Sequence, residues 1–339
     1  MNNKILFFLP SGSINDATAY YIKVLEDAFK GAGYQVVKSS KIKALRVYSR
    51  ILTIEAKWFF FTKLLNPSAV VYNWFQGVVA EEAYMVSKSI YRKKMWNFFE
   101  KFTLKFSTLN IYVSVEMKQY FEKLHHVGSD NFFIMPCFNK EIRLDLIRDL
   151  KKYSKPTFVY AGSLAKWQCV DETLELYSLI EKNIRNTKLT LLTKDKEHAL
   201  KLIEKYEIKN FDIKYVVLDD LEVELSKYKY GFLLRNDHVV NNVATPTKMN
   251  SYLSVGVIPI YSDVISDFKL HLSQCESFLV HNLDSSKDCI IDNIHRIESL
   301  TNIGSLVEQD VSSVFQVYYN RDKYYLELLR LLTTIKEQL

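Results

Sequence analysis

An arginine and a lysine stand thirteen residues apart in the stretch RNDHVVNNVATPTKMNSYLSVGVIPIY, residues 235–261. Arg235 closes the apolar run YGFLLR, which places it at the carboxyl end of an expected strand. Thr245 suits a helix N-cap and Pro246 the first helical position. Lys248 then falls in the first helical turn, where unpaired N–H groups already carry partial positive charge. A cation is unfavourable there unless an anion lies close, and helix N-termini themselves bind phosphate. Arg235 and Lys248 together therefore suggest a diphosphate site. The competing reading is a solvated Lys248 and an Arg235 paired with an acid such as Asp237.

Two alternating α/β segments have to position these cations. KILFFLP, the turn SGSIND, the helical pattern ATAYYIKVLEDAFKGAG and YQVVKSS form a strand–helix–strand unit, which favours a parallel sheet. AVVYNWFQG (69–77) and TLNIYVSVEM (108–117) are further strands, each followed by helix-like sequence. The pattern restarts after the charged connector 151–156. There TFVYAGS is a strand running into a small-residue turn. A helix (170–185), strand (188–194), helix (195–206) and strand (211–218) follow, then YGFLLR and GVIPIY. The expected organisation is two Rossmann-like domains, 1–152 and 153–310, facing each other across a cleft. Helices over 311–339 would pack back toward the first domain. Ligands of such sheets bind beyond the carboxyl ends of the strands.

The bulk numbers agree with two soluble domains. The chain has 339 residues, beyond the size at which single cores stop growing. Its four cysteines are scattered without metal-ligand spacing, as in a reduced cytoplasmic protein. The N-terminus is too short in apolar residues for a signal segment and reads as a buried strand. No apolar run approaches a membrane span. Asp219-Asp220 reads as a loop and helix-cap pair, and the seven histidines form no ligand set, so no metal is expected. P-loops, serine elbows and Gly-x-Gly-x-x-Gly are absent.

The order LLR…N…VATPTKMNSYLSVGVIPI resembles the donor-binding segment of GT-B glycosyltransferases, close to the large retaining group called family 4. Arg235, Asn241, Pro246, Lys248, Tyr252, Leu253, Gly256 and Pro259 match its pattern. Ser251 stands where the family has a glutamate that holds the donor ribose. FVYAGSLAKWQ is similar to the Gly-Ser turn and cation that open the family's donor domain. The likeness implies that Gly162 and Ser163 approach the diphosphate, and that Lys166 meets it opposite Lys248. YNWFQGVVAEEAYM resembles a strand-to-helix loop of capsule and O-antigen transferases, with Ala80 in place of a proline. By that likeness Gln76 faces the reacting sugar, and Glu81 or Glu82 binds acceptor hydroxyls or acts as a base. The plain alternative is an acidic first helical turn favoured by the helix dipole. Ser11 and Gly12 would face the acceptor.

Charge divides unevenly. Residues 1–150 carry 21 Lys and Arg against 13 Asp and Glu, while the remainder carries 24 against 26. Two stretches account for the excess, 38–63 and 88–106, where cations alternate with large aromatics. Arg92, Lys93, Lys94, Trp96 and Phe99 suit an anionic membrane surface, or else a buried aromatic face with a solvated basic one. Nothing resembles a module that reads nucleic acid.

The resemblance implies a metal-independent, cofactor-free, retaining hexosyl- or N-acetylhexosaminyltransferase. It would take a nucleotide-sugar donor and a lipid-linked glycan or oligosaccharide acceptor in bacterial capsule or O-antigen synthesis. It would lie in the cytoplasm, peripheral on the inner face of the plasma membrane. The alternatives are a catalytically silent partner subunit, which Ser251 keeps open, and a sugar-nucleotide epimerase.

Overall fold

The computed structural model describes residues 3–128, 130–283 and 286–338, apart from the side chains of Asp16, Ala17 and Lys166. It divides into two compact units. The first comprises 1–139, 242–245 and 320–339; the second comprises 140–241 and 246–319.

The first unit is built on six parallel strands: β1 (Lys4–Phe8), β2 (Gln35–Ser39), β3 (Arg50–Ile54), β4 (Val70–Trp74), β5 (Leu109–Tyr112) and β6 (Phe132–Ile134). Their order is β2-β1-β3-β4-β5-β6. The strands are almost continuously apolar because helices cover both faces of a parallel sheet. Leu6, Phe8, Ile51 and Val71 are fully buried from three adjacent strands, together with Leu45 and Phe59. Helix Asp16–Gly31 begins at a reciprocal cap between Asn15 and Thr18. Helix Arg321–Gln338 lies along it, with Arg321 2.6 Å from Asp27 and the Lys336 ammonium donating to the Ala32 carbonyl at 2.9 Å. A Cβ on Gly31 would come within 2.8 Å of the Tyr325 hydroxyl, so the two helices touch at a residue with no side chain.

The second unit repeats the scheme with β7 (Thr157–Ala161), β8 (Lys188–Leu192), β9 (Phe211–Lys214), β10 (Tyr230–Leu233), β11 (Ile258–Ser262) and β12 (Leu279–His281). The order β12-β11-β10-β7-β8-β9 is the doubly wound arrangement, with its reversal of strand order between β7 and β10. Phe158 stacks on Tyr230 and Phe232, at 4.8 and 5.7 Å between ring centres, and Tyr177 meets it edge-on.

The boundaries differ from those expected at 152/153 and 310/311. The second unit starts at Lys140, because residues 140–154 are fastened to the segment around 250–256. The Lys140 N–H donates to Asn250 Oδ1 at 2.8 Å, Arg143 N–H to the Ser254 carbonyl at 2.8 Å, and the Tyr153 hydroxyl to the Gly256 carbonyl at 2.8 Å. Lys152, which reads as part of a linker, is buried and donates to the carbonyls of Leu146 and Val255. Helix Ile303–Val317 also belongs to this unit: Arg148 grips Glu308 through two nitrogens, and Asp310 accepts from the N–H and hydroxyl of Ser277.

Candidate functional site

Two chain segments leave the sheet of the second unit at its reversal point. The first is the turn after β7, opened by Gly162; the second follows β10 and begins with Leu234 and Arg235. Gly162 has φ +144°, a conformation that favours glycine. A Cβ there would lie 3.2 Å from the Lys248 ammonium. Its missing side chain thus leaves the backbone open beside a cation. Ser163 is exposed, and its carbonyl accepts from the Tyr160 hydroxyl at 2.5 Å.

Arg235 is 4% exposed. Its main-chain N–H donates to Ser262 Oγ at 2.8 Å, tying it to the end of β11. The guanidinium donates to the Leu234 and Gln168 carbonyls at 2.8 and 3.3 Å, and to Gln168 Oε1 at 2.9 Å. Lys248 donates to the same Gln168 Oε1 at 3.2 Å and lies over the Tyr160 ring. The two cations named from the sequence therefore converge on one neutral acceptor. Among the described residues no carboxylate pairs with either. Burial, and then the Arg235 charge, hold the Lys248 ammonium well below the ordinary lysine pKa. Burial lowers the Arg235 guanidinium as well. Such groups are poised for an anion.

The helix carrying Lys248 runs Thr247–Ser254, one residue later than the sequence suggests. Pro246 occupies the cap position with extended ψ, so its ring ends the preceding loop instead of starting the helix. Thr245 is not the cap; its hydroxyl accepts from the Cys137 N–H at 2.9 Å. Asn241 is buried and donates to the Asn236 carbonyl at 2.9 Å, which closes the loop between Arg235 and this helix. The Ser251 hydroxyl donates to the Thr247 carbonyl within its own helix at 3.2 Å. The Lys166 side chain lies outside the described part of the structure; its backbone belongs to a short 3-10 turn, Lys166–Gln168.

In the first unit, Ser11 and Gly12 form an exposed tight turn beyond β1, with Gly12 at φ +79° and Ser13 closing onto the Pro10 carbonyl. Gln76 follows β4, and its amide nitrogen is buried without a hydrogen-bond partner among the described residues. Glu81 and Glu82 lie in the first turn of helix Val79–Ser87. Both oxygens of Glu81 accept from Lys93, at 2.7 and 2.8 Å, and Oε1 also accepts from the Tyr120 hydroxyl at 2.7 Å. Glu82 reaches solvent and its carboxylate fills the space above Gly77. The surroundings of that carboxyl are nonetheless crowded. Burial first, then the charges of Glu100 and Glu55, push its pKa up. Of the two, Glu82 is the better disposed to exchange a proton.

Lys93, read from the sequence as facing a membrane, is paired with Glu81 and partly exposed. Arg92 and Lys94 are exposed, while Trp96 and Phe99 are half-buried in an aromatic cluster with Phe60, Phe61 and Phe98. Among the described residues, no helix is long and apolar enough to cross a membrane. Nor do three His, Cys, Asp or Glu side chains gather as a metal would require.

Sequence reasoning missed Gln168 and Tyr160. The signal for Gln168 was its place two residues after Lys166 in AKWQC. For Tyr160 there was none, since an aromatic in a buried strand reads as core.

No protein-family model and no curated protein sequence matches the chain. Solved structures do. The sucrose-phosphate synthase of Thermosynechococcus elongatus superposes with a TM-score of 0.70 over 99% of this chain and 100% of its own, at 14% identity. HepE of Anabaena, solved with UDP-glucose, gives 0.70 over 98% and 99% at 10% identity. WaaG, a glycosyltransferase involved in lipopolysaccharide biosynthesis, gives 0.66 over 95% and 98% at 12% identity. Two six-stranded parallel sheets in these strand orders, and near-complete superposition on those enzymes, establish that this chain has the two-domain Rossmann-like GT-B fold of glycosyltransferases.

Proposed function

We propose that the protein is a glycosyltransferase that moves a sugar from a nucleotide-diphosphate donor to a lipid-linked or oligosaccharide acceptor, in bacterial capsule or O-antigen synthesis. The observation that carries this reading is the convergence of Arg235 and Lys248 on one point beside Gly162. That HepE was solved with UDP-glucose supports a nucleotide-sugar donor.

In this reading the second unit binds the donor. Arg235 and Lys248 stabilise negative charge that develops on the departing nucleotide diphosphate, so that no metal is required. Fixed cations aimed at developing charge need no reorganisation during the reaction. The first unit binds the acceptor through Ser11, Gly12 and Glu82, with Gln76 facing the reacting sugar and Glu81 or Glu82 receiving the acceptor's proton. Retention of the anomeric configuration rests on the family likeness alone. Attachment to the inner face of the plasma membrane rests on the basic, aromatic helices Ala56–Leu65 and Ile90–Phe106.

A panel of nucleoside diphosphates and their sugars, read by thermal stability, tests the site. A ligand at a hundred times its Kd stabilises the fold by about 2.7 kcal/mol. Arg235→Ala and Lys248→Ala should each abolish that shift, and nucleotide release in the presence of membrane lipids should fall by about a hundredfold or more. Variants that retain both responses would place the diphosphate elsewhere.

A further inference from the structure

Gln168 sits in a short turn between β7 and the helix Val170–Asn183. Residues Lys166–Gln168 make a three-residue 3-10 turn. Cys169 follows at φ 53°, a left-handed conformation that a side chain adopts at a cost. Trp167 in this turn is 44% exposed. Cys169 is buried and its carbonyl accepts from Thr173, while Gln168 reaches the cations: its Oε1 accepts from Arg235 at 2.9 Å and Lys248 at 3.2 Å, and its carbonyl accepts from Arg235 at 3.3 Å. A neutral amide oxygen bonds two cations less strongly than a dianion would.

We propose that Gln168 competes with the diphosphate for Arg235 and Lys248, so that donor binding displaces its side chain from the two cations. This rests on the donor-site reading given above. The occupant has the right chemistry for the role: one side-chain acceptor oxygen and no charge. It keeps two like charges at a fixed separation and yields to a stronger acceptor. The consequence is a donor affinity set by residue 168 as well as by the two cations.

The test uses the full chain and two probes, UDP and inorganic pyrophosphate, titrated by calorimetry alongside thermal melts without ligand. Gln168→Glu puts a carboxylate between the cations. It should raise the melting temperature without ligand and weaken both probes by about tenfold or more. Gln168→Ala removes the competitor. It should lower the melting temperature without ligand while tightening the binding of both probes. A merely structural glutamine would not move stability and affinity in opposite directions. If Gln168→Ala loses UDP as severely as Arg235→Ala, Gln168 is itself a donor contact and the proposal is wrong. Unchanged affinity in Gln168→Glu also overturns it. If wild type binds UDP and the variants behave so, the donor site stands and only the competition falls. If wild type binds neither probe, both fall together.

Discussion

The Lys248 ammonium lies 4.1 Å from the centre of the Tyr160 ring, and a Cβ on Gly162 would meet both residues. The aromatic face stabilises a cation that burial and Arg235 both disfavour. The balance is still unfavourable, since the Lys248 pKa is held well below its usual 10.5. A base depressed in the folded state binds fewer protons there than in the unfolded chain. Its cost is full at pH below the folded pKa and fades as pH rises toward the unfolded value. Lys248→Met should therefore raise stability at neutral pH, by about 1 kcal/mol or more, while losing nucleotide binding. Urea denaturation at pH 7 and pH 10 checks this, and the gain should shrink at the higher pH.

A second expectation concerns Glu100. It is 1% exposed, accepts from the Ala80 N–H at 3.0 Å, and lies 3.3 Å from His125 Nε2. It thereby fixes the first turn of the helix that bears Glu81 and Glu82. Burial raises its pKa above the usual carboxylate range, against the hydrogen bond from His125. The folded chain then binds more protons than the unfolded one above that range, so stability falls as pH rises through the window. Glu82 is shifted the same way, and Glu81 and Lys93 add charge nearby. The contribution of Glu100 is thus the difference between wild type and Glu100→Gln, which should have the flatter pH profile. Glu100→Ala leaves the Ala80 N–H without its acceptor and should cost about 2 kcal/mol. Denaturation series from pH 5 to 8 measure both.

The membrane surface makes a third. Phe61, Phe98 and Phe106 are each more than two-fifths exposed, beside the exposed Arg92 and Lys94. Each cation near an anionic surface contributes about 1 kcal/mol. Arg92→Glu combined with Lys94→Glu should cut recovery with anionic vesicles about tenfold or more in flotation. Equal recovery of wild type with neutral and anionic vesicles would remove the membrane from the proposal.

The strands flanking the cations were readable because parallel strands buried on both faces are apolar throughout. YGFLLR, GVIPIY and TFVYAGS have no other plausible fate. Arg235 and Lys248 were readable for a related reason: each sits where a regular element meets a loop, so its position follows once the element is known. β3 was not read. It lies between Arg46 and the aromatic helix Ala56–Leu65, in a stretch whose cations and rings mimic helical spacing. β6 and β12 are three residues each, too short for periodicity. The strand expected over 211–218 stops at Lys214, and a 3-10 turn, Leu218–Asp220, follows further on and holds Asp219 and Asp220. Contacts such as Glu81 with Lys93, or Gln168 with both cations, were invisible because they depend on how neighbouring elements pack. One sequence read alone has no record of that.

Helix Arg321–Gln338 completes the first unit by covering helix Asp16–Gly31, although nearly the whole chain separates them. During synthesis the early helix must wait for the second unit to be translated before its partner emerges. At ribosomal speeds that is roughly a quarter of a minute to a minute. For that interval the face later sealed by Tyr325 and Leu329 stays open to solvent and to chaperones. Maturation of the first unit therefore waits on a segment that is translated only after the second unit.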